Sequence, residues 1–279
     1  MKIIAALALA LFPGLSPAEP LTPASIAEPI AGTERIELFL LIGQSNMKGR
    51  GEVPAEQVAN PRIVMMHVKS DQWYVARHPL HFAGDPVTLQ GKDNAGVGPG
   101  LAFAKAVAAR EPHVMIALVP CAVGGTRLDL WVKGGRLYNN AVRRAKLALS
   151  TKSSVPIVLR GALWLQGEAD ARPEFQPTYQ DRLLHMIDDL RGDLGAPDLP
   201  FIAATIGQFG RATANGSNLK PLINEALLAL PKLRPYAACV DARDLQGQIG
   251  DGVHYDTGSA NEIGTRMAAQ FESMKRSQP

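Results

Sequence analysis

Apolar positions recur along this chain in two rhythms. Six short runs have the near-continuous apolar character of strands buried on both faces: IELFLLI (36–42), RIVMMHV (62–68), HVMIALV (113–119), IVLRGALWL (157–165), PFIAATI (200–206) and AACVDA (237–242). Between them the apolar residues fall at helical spacing. GLAFAKAVAAR (100–110) aligns Leu101, Ala104, Lys105 and Ala108, and YNNAVRRAKLALS (138–150) sets an Ala/Val/Leu face against an Arg/Lys face. TYQDRLLHMIDDLRGDLG (178–195), PLINEALLALPKL (221–233) and GSANEIGTRMAAQFESMKRS (258–277) read the same way, the last with Ser259 and Glu262 spaced as a capping box. Strands alternating with helices predict an α/β domain with a parallel sheet of five or six strands and helices on both faces. The Gly-, Pro- and Asp-rich stretch 69–99 predicts a long loop region of the kind that often carries function. No internal repeat interrupts a single domain over 35–279.

The first residues follow a different pattern. Lys2, the apolar run IIAALALALF and Ser16-Pro17-Ala18 form a signal peptide over 1–18, cleaved after Ala18. Residues 19–34, rich in Pro, Ala and Glu, read as a mature N-terminal linker. The expected location is therefore secreted or periplasmic, with no membrane span after cleavage. Export permits disulfides. However, Cys121 and Cys239 each lie near the end of an apolar run, on strands that others separate, which predicts two buried free thiols. The chain has 279 residues, 46% of them hydrophobic, enough to bury a sizeable core. Its net charge of +3 and the lack of any Lys/Arg run give no nucleic-acid signature. Oligomeric state is not legible. Asn215-Gly216-Ser217 matches a glycosylation acceptor.

Several signatures fail. GVGPG (96–100) follows a loop and misplaces the third glycine of a dinucleotide fingerprint, and no phosphate loop or paired metal-ligand spacing occurs. His78 and His81 read as a solvated loop pair rather than ligands. The chemistry gathers instead at strand ends, where α/β sheets hold ligands. Ser45 follows the first strand in GQSNM, which is not the G-x-S-x-G elbow of α/β-hydrolases, and it reads as nucleophile, helix cap or turn residue. His254 stands three residues after Asp251 in DGVH, a spacing that lets the carboxylate receive the Nδ1 proton and leaves Nε2 free as a base. Gly124-Gly125 offers bare backbone N–H groups, Gln166 an amide, and Glu168 a second carboxylate. Alone, each has an ordinary structural reading; together they are the parts needed for acyl transfer.

GQSNM, GVGPGLAFA, VGGT, WLQGEAD and DGVHYD, in this order, resemble the SGNH (GDSL-like) hydrolases. Within them they resemble the sialate O-acetylesterase-like branch, which includes carbohydrate esterase family six acetylxylan esterases. The resemblance spans about residues 36–272 and implies a flavodoxin-like, three-layer fold. It implies Ser45 as nucleophile, His254 as base and Asp251 as its acid, with Glu168 a carboxylate that could serve beside or instead of Asp251. It implies an oxyanion hole of the Ser45 N–H, the Gly125 N–H and the Gln166 side chain, where most SGNH hydrolases carry Asn in place of Gln166. Arg127, Trp131 and Tyr138 follow the glycine pair and either line the sugar side or anchor the next helix. The expected activity is removal of O-acetyl groups from carbohydrate, of acetylxylan or sialic-acid type, without metal or cofactor. Two alternatives stand beside it: a short-chain lipid or aryl esterase on the same fold, and a catalytically inactive carbohydrate-binding relative.

Overall fold

The structure is a computed structural model and describes residues 20–88, 91, 93–210 and 218–276. The expected signal peptide with its cleavage point and Asn215-Gly216-Ser217 lie outside the described residues.

All six apolar runs form strands: β1 (Arg35–Gly43), β2 (Ile63–Met66), β4 (Val114–Pro120), β5 (Ile157–Leu165), β6 (Phe201–Ala204) and β7 (Ala237–Val240). A seventh, β3 (Trp73–Val75), comes from the stretch expected to be loop and pairs antiparallel with β2. The sheet order is β3-β2-β4-β1-β5-β6-β7, every other pairing being parallel. The sheet thus has one strand more than expected. Its order also departs from the flavodoxin-like arrangement, because β4 lies between β1 and β2. Three residues of β3 are too few to show the alternation by which a strand is read from sequence.

Helices cover both faces, as expected. They are α1 (Ser45–Lys48), α2 (Gly100–Arg110), α3 (Arg136–Leu149), α4 (Tyr179–Asp193), α5 (Lys220–Leu228), α6 (Leu230–Leu233) and α7 (Thr257–Arg276). Phe39 of β1 is wedged edge-on between Phe103 of α2 and Phe271 of α7, with ring centroids 4.9 and 5.1 Å away. Where α7 crosses α2 the backbones touch: a Cβ on Gly264 would fall 2.2 Å from the Pro99 carbonyl oxygen. The cap of α7 is Asp256, whose side chain accepts the Ser259 N–H at 2.8 Å. The expected capping box is not made, since the helix begins one turn earlier and Glu262 pairs with Arg266.

Arg144 departs from the amphipathic pattern of α3. It is buried, donating to the carbonyls of Pro120, Met66 and His67 and pairing with Asp71 at 3.0 Å. It thereby supplies donors to carbonyls at the ends of β2 and β4. Cys121 and Cys239 are free, with β1, β5 and β6 between their strands, and Cys239 is only partly buried. His78 and His81 are buried rather than solvated, and burial lowers their pKa values to about 4 and about 3. Within the stretch 19–34 expected as a linker, residues 22–24 run along β3, while Ala27 and Glu34 bond to Ser154 and His113. Leu21 and Ile26 are buried, and backbone hydrogen bonds join Ala24 to Trp73 and Val75 to Thr22, each at 2.9 Å.

Candidate active site

Four loops at the carboxyl ends of the strands meet over β1, β4 and β5. β1 ends at Gly43, whose φ of +130° is open to glycine, and a Cβ there would strike the Leu165 carbonyl oxygen at 2.3 Å. That close approach of β1 to the end of β5 starts α1 at once, with Ser45 as its first residue. The glycine pair after β4 lies on the same side: a Cβ on Gly124 would be 3.5 Å from Ser45 Cβ. The former loop region closes in from β2, Val97 bridging to Gly51 and Asp93 pairing with Lys48 of α1 at 2.6 Å.

Between β7 and α7 the chain brings His254 to Ser45. His254 Nε2 lies 2.8 Å from Ser45 Oγ, and Nδ1 lies 2.5 Å from Asp251 Oδ2. Asp251 also accepts the N–H groups of Val253 and His254, each at 2.9 Å. Burial opposes its charge, but the hydrogen bonds from the His254 ring and from these two N–H groups prevail and hold its pKa at about 2. Ser45, His254 and Asp251 thus form a continuous hydrogen-bonded chain in which the histidine is oriented and its far nitrogen faces the hydroxyl.

The N–H groups of Ser45 and Gly125 donate to no acceptor among the described residues, and Gly125, with φ +70°, has open space where a side chain would stand. Gln166 does not join them, contrary to the expectation from sequence. It is fully buried, and its amide donates to Asp170 Oδ2 at 2.6 Å and to the Thr126 carbonyl at 3.0 Å. Both amide hydrogens are therefore committed, and Gln166 anchors the turn that carries Gly124 and Gly125. Asp170 also accepts the Leu128 N–H at 2.9 Å, while burial raises its pKa.

Glu168 does not touch His254. It accepts a hydrogen bond from Asn46 Nδ2, and its burial raises the carboxyl pKa despite that bond and the charges of Lys220 and His254. Of the two candidate acids, Asp251 is the one in contact with the imidazole. Trp131 and Tyr138 belong to the core rather than to a sugar-binding face. Trp131 packs edge-on against Trp164 and donates to Thr126 Oγ1, and the Tyr138 hydroxyl donates to Asp193 at 2.6 Å. Arg127 is at the rim, its guanidinium paired with Asp129 at 2.7 Å and stacked 4.3 Å over Phe175.

Two residues escaped the sequence reading. Asn46 links Ser45's helix to the His254 loop, accepting the Tyr255 N–H at 3.0 Å and donating to the Val253 carbonyl at 3.2 Å. Arg50 reaches past Gly124, its Nη2 being 2.9 Å from where a Cβ would sit, and it forms no ion pair among the described residues. Both stand inside the GQSNMKGRG segment, so position beside Ser45 was the available signal.

This geometry agrees with what the chain is similar to. A family model described as "Carbohydrate esterase, sialic acid-specific acetylesterase" matches residues 35–273. A probable carbohydrate esterase of Arabidopsis thaliana is 33% identical over 254 residues, 85% of this chain and 90% of that protein. Its X-ray structure superposes with a TM-score of 0.71 at 32% identity, over 85% of this chain and 98% of the other. NanS shares the fold at a TM-score of 0.66 and 18% identity, over 89% of this chain and all of that one. A carbohydrate acetylesterase from Xanthomonas citri does so at 0.60 and 20%, over 86% of this chain and 57% of the other. With residues 35–273 matched by the family model, and with a relative one-third identical along most of its length, the chain belongs to the carbohydrate esterase, sialic acid-specific acetylesterase family.

Proposed function

We propose that this carbohydrate O-acetylesterase works as an exported serine esterase of the SGNH type, through an acetyl-enzyme on Ser45. One observation carries the reading: His254 bridges Ser45 Oγ and Asp251 at 2.8 and 2.5 Å. The motif order of GQSNM, QGE and DGVH supports the finer family assignment, and the signal-like start supports export.

In this reading Ser45 Oγ attacks the acetyl carbonyl carbon and His254 Nε2 takes the hydroxyl proton. The Asp251 carboxylate holds the imidazole by Nδ1 and stabilises it when charged. The carbonyl oxygen, now negative, meets the N–H groups of Ser45 and Gly125. The ester C–O bond breaks, and His254 returns its proton to the departing sugar oxygen. Water then attacks the acetyl carbon, giving a proton to His254. The Ser45 ester bond breaks, the proton returns to Ser45 Oγ, and acetate leaves.

The test is acetate release by the purified protein from acetylated xylan and from O-acetylated sialic acid, with Ser45→Ala as control. Ser45-dependent release from either is expected, and release from one alone identifies the sugar class. Preference for octanoyl over acetyl aryl esters would instead favour the lipid or aryl esterase alternative. Turnover that survives Ser45→Ala would end the serine reading, and no turnover of any ester would favour the inactive binder.

A further inference from the structure

We propose that Asn46 is a positioning residue that holds His254 against Ser45, and that Glu168 acts on catalysis through Asn46 rather than as an acid on the imidazole. This rests on the reading of Ser45 and His254 as nucleophile and base.

The Asn46 side chain is buried and makes three hydrogen bonds. Its Oδ1 accepts the Tyr255 N–H at 3.0 Å, and its Nδ2 donates to the Val253 carbonyl at 3.2 Å and to Glu168 Oε1. The Val253 carbonyl belongs to the peptide before His254, and the Tyr255 N–H to the peptide after it. One carboxamide therefore grips the peptide groups on both sides of the base. The partners also dictate its orientation, since two acceptors require the NH2 end and one donor requires the oxygen. A flipped amide would set oxygen against oxygen twice.

Asn46 and Asp251 restrain His254 differently. Asp251 lies in the same loop as His254, so it fixes the ring relative to that loop. Asn46 is the residue after Ser45 on α1, so it fixes the loop relative to the nucleophile across 209 residues of sequence. A reacting pair displaced by about 1 Å loses roughly a hundredfold in rate. Glu168 completes the device from the end of β5. One carboxylate oxygen receives Nδ2, and Asn46 is the one side chain that hydrogen-bonds to Glu168 among the described residues.

Two readouts test this on the full chain. The first is hydrogen exchange at the Tyr255 amide, which reports the grip whether or not an ester is cleaved, with the β1 amides as control for the fold. Exchange at Tyr255 should quicken at least tenfold in Asn46→Ala and in Glu168→Ala while β1 stays protected. The second is kcat and KM on p-nitrophenyl acetate, after Ser45-dependent turnover by the wild type is established. Asn46→Ala should lower kcat about a hundredfold with KM within a few-fold. Glu168→Ala should lower kcat in the wild-type background but add almost nothing in Asn46→Ala, and Glu168→Gln, which keeps an acceptor oxygen, should recover most of the rate.

Unchanged Tyr255 exchange in Asn46→Ala would overturn the grip. Wild-type kcat in Asn46→Ala would overturn its catalytic meaning. An equal loss from Glu168→Ala in both backgrounds would make Glu168 an independent acid and overturn its route through Asn46. If Asn46→Ala unprotects β1 as well, Asn46→Ser takes its place under the same criteria. Absence of Ser45-dependent turnover would sink the functional reading and the catalytic half of this proposal, and exchange would still judge the grip.

Discussion

At the scale of single residues, two carboxylates near the same histidine have opposite environments. Asp251 is partly exposed and bonded to donors, which holds its pKa at about 2. It stays ionised throughout the neutral and mildly acidic range. The stability it contributes is present above the ordinary aspartate value and is lost only as pH falls toward 2. Asp251→Asn should lower the melting temperature at neutral pH modestly, as the ionised carboxylate's contribution is lost, and lower kcat by about 10³–10⁴-fold, because an amide cannot stabilise the charged imidazole; melting curves and steady-state kinetics on an aryl acetate decide this. Glu168 is the reverse case. Burial raises its pKa, so the folded chain binds its proton more tightly than the unfolded chain does. Its stabilising contribution is present below the ordinary glutamate value and is lost as pH rises through the raised one. Glu168→Gln should therefore gain melting temperature relative to wild type as pH goes from 4 to 8, a difference that melting curves across that range would show.

At the scale of elements, the site depends on how strand ends are finished. Gly43 lets β1 turn against the end of β5, and Gln166 ties the glycine turn after β4 to Asp170 and Thr126. Arg144 serves the neighbouring strands by reaching from α3 to the last carbonyls of β2 and β4 and to that of His67. Arg144→Met keeps much of the side-chain volume but takes the guanidinium from the buried Pro120 and Met66 carbonyls and from Asp71, while the His67 carbonyl keeps the Asp71 N–H. It should cost about 3–5 kcal/mol of unfolding free energy. Urea denaturation measures this, and a loss under 1 kcal/mol would mean that water replaces the guanidinium.

At the scale of the whole molecule, the sheet is mixed because β3 closes one edge, and residues 22–24 then pair along β3. An exposed edge strand invites pairing between chains, so this docked segment protects the sheet as well as adding apolar contact. A chain beginning at residue 35 forfeits the burial of Leu21 and Ile26, roughly 1.5–3 kcal/mol for each side chain. It should melt lower than a chain beginning at residue 19 and elute with larger species in size-exclusion chromatography. Equal melting and elution would mean that the segment adds nothing to the fold.

Sequence by itself determined the local matters: six apolar strands, the long helices between them, the free cysteines on separated strands, and the Asp251–His254 pair three residues apart. These are legible because they depend on short-range periodicity and spacing. It also brought Ser45 into view, through its place after a strand and the motifs that follow in order. Only the tertiary structure decided which neighbours those residues have. It took Trp131 and Tyr138 into the core, turned Gln166 away from the oxyanion position, buried His78 and His81, and gave Glu168 to Asn46 instead of His254. Most of these outcomes depend on contacts between segments far apart in the chain, 122 residues for Asn46 with Glu168 and 40 for Gln166 with Thr126, as does the meeting of Ser45 with His254 across 209. A buried polar side chain takes whichever donor or acceptor the fold brings to it, and no local pattern encodes that choice.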